Sequence, residues 1–590
     1  MNRPLSAARR HRVPWLACVL SVLCFLLAML TACSSIPTGG PVSRSDVTAD
    51  QQNQQAQDIV FNAVPPADNA DQTQIISGFI AASVGGVVNN FQVARTYLTT
   101  DLGNTWKGNN RTVVYQGDPR ISRDGSDTQY KVDVDVKGVV DSTGVMTAAS
   151  TGAVESMSLS LSKVDGQWRI SSPPNGVLLS QDYFNSLFVP RDIYFYDPTF
   201  SYLVPDLRWF AGQSSVAQGN SRATAMVRAL LGGPAPYLKG AVASAFPDGT
   251  DLLRPTVPIN NSQATVDLTA KSLLEASSAA RAQMQAQLQE TLQKGLNTVT
   301  SVQMRADTTS ITPDSADPTT TGVAHQPTVA ARQVGISKGE LAWLEGGAVS
   351  SLTGFPSVAA LHPAQPAQSY DKGVALAFLT AELRSLYTMV PGQEPVRKID
   401  GVPLSAPSFS PGGWVWTAAT DGSGRVFAAQ PAGQGAVVTL TPDWLKGRTV
   451  SSLRVSRDGT RLLVVSSANG VTTLEFAGIL KQDGSAGSTP RDLAPPMILY
   501  PAAQVSQAFW SGPESVVLLT PGTTAPALLE WSLAADPVVM PTLADTSWLS
   551  VGSSFNDVYT QSTSGALYLR VGNVWQQQPA QGITQLAFPG

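Results

Sequence analysis

The chain has 590 residues, with 39 Lys+Arg against 43 Asp+Glu, a formal net charge of -4 and only 14% charged residues. That mild acidity, with no polybasic run, argues against a nucleic-acid partner and against membrane attachment by charge alone. A chain of this length exceeds one hydrophobic core, so roughly two to four domains are expected. Its three cysteines, Cys18, Cys24 and Cys33, are too few for a disulfide framework.

Arg3, Arg9, Arg10 and Arg12 form a cationic start, and residues 13–30 are apolar apart from Pro14 and Ser21. A charged start, an apolar stretch and small residues before a cleavage point are the parts of a secretory signal, here residues 1–32. Leu30-Thr31-Ala32-Cys33 resembles the lipobox of bacterial lipoproteins. The resemblance implies that a signal peptidase recognises Leu30, Thr31 and Ala32, that the Cys33 thiol carries a diacylglyceryl group with palmitate-type chains, and that Cys33 begins the mature protein. A retained signal anchor competes with this, since about 18 apolar residues reach the lower limit for spanning. So does ordinary cleavage, which would leave Cys33 free. Cysteine usage favours lipidation: Cys18 and Cys24 fall inside the signal, and the lipid caps the one thiol that remains. The mature part keeps 35 basic against 43 acidic residues once the four leader arginines are gone, so the lipid, not charge, is its anchor to the cell membrane, on the extracytoplasmic side. Residues 33–57, with Pro37, Gly39, Gly40, Pro41 and the run QQNQQAQD, have little to bury and read as a flexible tether.

Residues 58–186 read as a small α+β domain. Asp71 is a candidate N-cap for a helix with Ile75, Ile76, Phe79, Ile80 and Val84 on one face. Asn89 or Asn90 opens a second expected helix carrying Phe91, Ala94, Tyr97 and Leu98. The period then changes to two. Tyr130, Val132, Val134 and Val136 alternate with charged residues, as do Met157, Leu159 and Leu161 with polar ones, and Asp165-Gly166 turns the chain towards Trp168 and Ile170. Helices followed by a curved sheet resemble the nuclear-transport-factor-like cone.

In residues 190–306, RDIYFYDP is a strand and SRATAMVRALLGGP a helix stopped by Gly232-Gly233-Pro234. The strand ATVDL, a helix from Ser277 to Lys294 and the strand TSVQM follow. This order, with ALLGGP, FPDGT and ATVDL, resembles the GerMN domain of sporulation and germination proteins, which implies an extracytoplasmic α+β interaction module. Residues 307–330 are rich in Thr, Pro and Asp and read as a linker.

From 331 to 590 a strand–turn–strand phrase recurs, as in SFSPGGWVWTAA and LRVSRDGTRLLVV. Intervals of about 35 to 55 residues match four-stranded propeller blades, and roughly 260 residues at about 43 each give six blades. SPGG and SRDG stand where TolB-like propellers carry Ser-Pro-Asp-Gly. A two-sheet sandwich also gives evenly spaced strands, but the recurring turn favours the all-β propeller. The terminal ITQLAFPG resembles a blade opening and is expected to complete the first blade. Signal, lipobox, α+β domain, GerMN segment and propeller in this order resemble the actinobacterial LpqB lipoproteins. That resemblance implies an accessory of the MtrA–MtrB two-component system, binding the extracytoplasmic domain of the sensor histidine kinase and affecting envelope homeostasis and division.

The residues offer little for catalysis, and no enzyme, metal or cofactor is expected. Outside the signal only His325 and His362 occur, neither in a metal-ligand spacing. No GxSxG elbow or phosphate-binding loop is present. Asp133 and Asp135 share one strand face beside Lys131 and Lys137, as solvated residues do; Asp101, Asp248 and Asp458 adjoin turn glycines. Tyr194-Phe195-Tyr196 and Trp209-Phe210 are either core or a glycan surface. A carbohydrate-active or lactonase-like propeller enzyme, needing carboxylates or histidines in the central channel, is one alternative function; a passive peptidoglycan-binding module with cell-wall contact is another.

Overall fold

The computed structural model describes residues 63–590 apart from 87–90, 150–151, 173–175, 213–215, 270, 312–323, 371–374, 483–488, 500–504, 522–525 and 534–536. The signal, Leu30 to Cys33 and the tether lie outside the described residues.

Helix α1 (Gln72–Gly86) starts on a reciprocal cap: the Gln74 N–H donates to Asp71 Oδ1 at 2.8 Å, and the Asp71 N–H to Gln74 Oε1 at 2.9 Å. Its Ile75, Ile76, Phe79 and Val84 are buried and Ile80 half-buried. The expected second helix is reduced to Gln92–Arg95. Sheet pairing takes the rest of that segment: the Thr99 N–H donates to the Ile170 carbonyl at 3.0 Å, and the Ile170 N–H to the Tyr97 carbonyl at 2.9 Å. Tertiary pairing overrides a weak local helix preference here.

Strands β1 (Arg111–Arg123), β2 (Gln129–Asp141), β3 (Val154–Val164), β4 (Gln167–Ser172) and β5 (Val177–Ser180) form a sheet in the order β4-β3-β2-β1-β5. All neighbours are antiparallel except β1 and β5. Tyr130, Val132, Val134 and Val136 of β2 are buried in the core beneath α1, as their alternation requires. Asp165 and Gly166 take φ of 51° and 78°, the left-handed pair of a tight hairpin turn.

The next domain opens with the hairpin β6 (Phe188–Tyr196) and β7 (Leu203–Ala211). Helix α2 (Val216–Leu231) ends as expected, the Gly232 N–H donating to the Arg228 carbonyl and Gly233 adopting φ of 91°. Strand β8 (Gln263–Leu268) leads through helix α3 (Ser278–Gly295) to β9 (Ser301–Ala306), parallel to β8. Ser277 caps α3 through its hydroxyl. Two fully buried polar side chains of α3 satisfy β6: Thr291 Oγ1 accepts from the Tyr194 N–H at 3.1 Å, and Gln287 Nε2 donates to the Tyr194 carbonyl at 2.8 Å. Within 307–330, Thr309–Ser310 pairs with β9, and the Ala324 carbonyl accepts from the Leu203 N–H.

The C-terminal part is a propeller of six blades, each built on a four-stranded antiparallel sheet. Thr584–Ala587 supplies the inner strand of the first blade, pairing with Gln333–Ser337, so the chain end closes the ring. The SPGG and SRDG phrases are equivalent turns leaving the inner strands Ser408–Phe409 and Thr449–Val455; Gly413 and Gly459 donate back to Ser410 and Ser456 at 2.9 and 2.8 Å. The fold is therefore multidomain: α+β, α+β, then all-β.

Candidate functional site

Two places gather unusual chemistry: the seam where the domains meet, and the propeller channel. Residues from Phe61 onward cluster as one unit. One apolar cluster joins Val145 of the first domain, Val204, Leu207, Tyr237 and Leu238 of the second, and Leu474, Phe476 and Trp510 of blades four and five. Within it the Asp206 and Arg208 side chains of β7, 0% and 1% exposed, pair at 2.7 Å. Arg208 also donates to the carbonyls of Thr143 and Gly233 at 3.0 and 3.1 Å, while Asp206 accepts from the Ala235 N–H at 2.8 Å. The pair thus ties three segments to one point. Burial opposes the Arg208 charge, and Asp206 outweighs it, leaving the guanidinium more basic than usual.

Contact with blade four is close. The Gly478 N–H donates to the Tyr237 carbonyl at 2.7 Å, and a Cβ on Gly478 would stand 2.6 Å from that oxygen. On blade five Glu514 accepts from the Tyr194 hydroxyl. Asp192, buried next to them, has its carboxyl pushed well up by burial and by the Glu514 and Asp206 charges. His325 completes the group: its Nε2 lies 2.9 Å from Glu290 of α3 and its Nδ1 3.1 Å from the Leu203 carbonyl. The hydrogen bond from His325 holds the Glu290 carboxyl below its ordinary range. Burial works against the imidazolium, and Glu290 outweighs it, raising the His325 pKa.

The channel is bounded by the inner strands. Its outer compartment, about 430 Å³, is lined by residues including Gln365, Glu382, Leu404, Arg454, Gln507 and Trp548. A narrower inner compartment continues past Arg454, Phe509 and Trp548 to Tyr370 and Arg457. No histidine, aspartate or glutamate lines the inner compartment among the described residues.

The other singled-out residues fall into structural roles. Asp133 and Asp135 sit on the solvated sheet face, paired with Lys131 at 3.4 Å and Arg120 at 2.9 Å. Asp101 and Asp248 are exposed, whereas Asp458 is buried against Arg461 at 2.7 Å. Burial opposes its charge, yet Arg461 and the Thr460 and Ser456 hydroxyls lower its pKa. Tyr194, Phe195, Tyr196 and Phe210 are buried and Trp209 partly so, which makes them core and not a glycan surface. His362 occupies a turn at φ 47°. Sequence reasoning missed Asp206, Arg208, Arg454 and Arg457. The available signal was charge inside apolar strand phrases, LVPDLRWF and LRVSRDGTR.

Comparison with known proteins agrees with this architecture. Family models match in succession: the lipoprotein LpqB N-terminal domain over residues 65–185, the sporulation and spore germination (Germane) domain over 192–312, and the lipoprotein LpqB beta-propeller domain over 339–587. Lipoprotein LpqB of Bifidobacterium longum is 31% identical over 250 residues, covering 40% of this chain and 42% of that protein. The Thermobifida fusca lipoprotein LpqB is 28% identical, covering 43% and 40%. These two matches therefore span about two fifths of either relative. Lipoprotein LpqB of Cutibacterium acnes, 27% identical, covers 79% of this chain and 80% of its own length. No helix among the described residues is long and apolar enough to cross a membrane. With its three domains in the order of those models, the chain belongs to the LpqB lipoprotein family.

Proposed function

We propose that this protein is a lipid-anchored, extracytoplasmic interaction partner of a membrane sensor kinase, and acts by binding without turning over a substrate. Cys33 carries the lipid, after recognition of Leu30, Thr31 and Ala32. The partner is the outer domain of an MtrB-like kinase of the MtrA–MtrB system, with consequences for envelope homeostasis and division. The observation that supports this most is the seam: one buried ion pair ties the first two domains and one apolar cluster joins all three, so the GerMN surface and the propeller loop face are displayed in fixed relation. Fixed display favours recognition of a folded partner, because little freedom remains to be lost on binding. A short lipid tether confines both proteins to one surface and raises their effective concentration, so modest contact affinity is enough. The test is co-purification of the full lipidated chain in detergent with the kinase's extracytoplasmic domain. Saturable, weak binding is expected, and no binding at any detergent-compatible concentration would exclude this partner.

A further inference from the structure

The propeller channel holds two arginines that form no ion pair among the described residues, and nothing in the proposed kinase interaction uses them. Arg454 Nη1 donates to the carbonyls of Leu453, Ala406 and Pro407 at 3.3, 3.3 and 3.1 Å. Among the described residues no hydrogen bond engages its Nε or Nη2, and the residue lines both compartments. The guanidinium lies 4.7 Å from the centroid of the Phe509 ring, which fixes its plane. Deeper in, Arg457 Nη2 donates to the Val551 and Gly552 carbonyls, while its Nε and Nη1 are buried without a partner. The buried Tyr370 hydroxyl lies beside the Arg457 guanidinium, with no acceptor or donor of its own other than that neighbour among the described residues. Neither arginine appears in an ion pair among the described residues, although thirteen other cations are so paired or placed.

A guanidinium does not shed its proton in a protein, and an unpaired buried charge is costly to keep. Burial pushes the Arg454 pKa down to about 10, which leaves it cationic at neutral pH. An apolar residue of similar volume would fill such a buried position more stably than an unpaired charge. An arrangement of this kind is stable when an anion from solvent supplies the missing charge and acceptors.

We propose that the propeller channel is a binding site for a small organic anion, whose carboxylate or phosphate group enters between Arg454 and Arg457. The rest of the molecule occupies the outer compartment, whose volume of about 430 Å³ lies within the range of small-molecule pockets. There it meets the Trp548 ring and the side-chain amides of Gln365 and Gln507. The Trp548 indole N–H already donates to the Leu586 carbonyl at 2.8 Å, so the ring offers its face. This site is independent of the kinase reading, and either can fail alone.

The experiment is calorimetric titration and thermal melting of the full chain with gluconate, inorganic phosphate and neutral glucose as probes. Wild type, Arg454→Gln and Arg457→Gln are compared, with their ligand-free melting recorded first to establish folding. At least one of the two anions is expected to bind one-to-one and raise the melting temperature, with glucose inert. Each arginine replacement should weaken that binding about tenfold or more. Gluconate and phosphate separate a carboxylate from a phosphate as the recognised group. The proposal is overturned if neither anion at millimolar concentration stabilises the wild type, or if both folded variants bind as the wild type does. It is also overturned if glucose binds as well as gluconate.

Discussion

Asp206 and Arg208 show how much a single buried pair can determine. Arg208→Met would leave the Asp206 carboxylate buried among apolar side chains, and a loss of about 3–5 kcal/mol is expected, read as a fall in the urea midpoint. Asp135→Ala, on the solvated sheet face, should leave the midpoint unchanged, because an exposed pair with Arg120 contributes little. The His325–Glu290 contact makes the seam pH-dependent. His325 has a raised pKa, so its contribution is complete below about pH 6.5 and disappears as pH rises through the folded value. Glu290 has a lowered pKa, so its contribution holds above about pH 4.5 and disappears as pH falls through the folded value. Asp192, raised by burial, adds to the loss at higher pH, while Lys294 lies 3.8 Å from Glu290 and Glu514 faces the imidazole side. Thermal melts from about pH 6 to about pH 8 should therefore fall more steeply in the wild type than in His325→Gln. Equal slopes would remove His325 from this role.

At the scale of elements, local chemistry was readable wherever it was self-contained. Asp71 and Gln74 are three residues apart, Asp165-Gly166 is its own turn, and the alternation from Tyr130 to Val136 defines the buried face of β2 without reference to the rest of the chain. The six blades were readable because one turn phrase repeats, and the closing strand because ITQLAFPG resembles a blade opening. What escaped was contact at long range. Tyr194 meets Glu514 across 320 residues, and a strand pattern carries no information about which distant loop will cover it. Helix propensity likewise misled at Tyr97 and Leu98, where a sheet edge claimed the backbone. Two element-level predictions follow from these contacts. Gly478→Leu would drive a side chain into the Tyr237 carbonyl and the Ala241 methyl, and should split one thermal transition into two as the propeller separates from the GerMN domain. Loss of residues 584–590 would remove the inner strand of the first blade and uncover Val334 and Leu344, which pack beside it, so the ring should lose cooperative unfolding, measured by calorimetry.

At the scale of the whole molecule, the proposed function adds a lipid anchor and a tether to one assembly of three domains. The Cys33 assignment comes from the leader alone, and fatty-acid labelling checks it: Cys33→Ala should leave an unlabelled, full-length precursor, and label retained in that variant would exclude Cys33 as the anchor. The central claim is that the protein works beside its kinase on the membrane, through effective concentration. The direct measurement is phosphorylation output of the kinase's response regulator in cells lacking the native protein. Those cells would produce either the lipidated form or the same mature chain exported behind an ordinary cleavable signal, with Cys33 replaced by serine and matched in abundance. The account predicts normal output with the lipidated form and clearly impaired output with the soluble one. Full restoration by the soluble form would contradict it, because tethering would then contribute nothing.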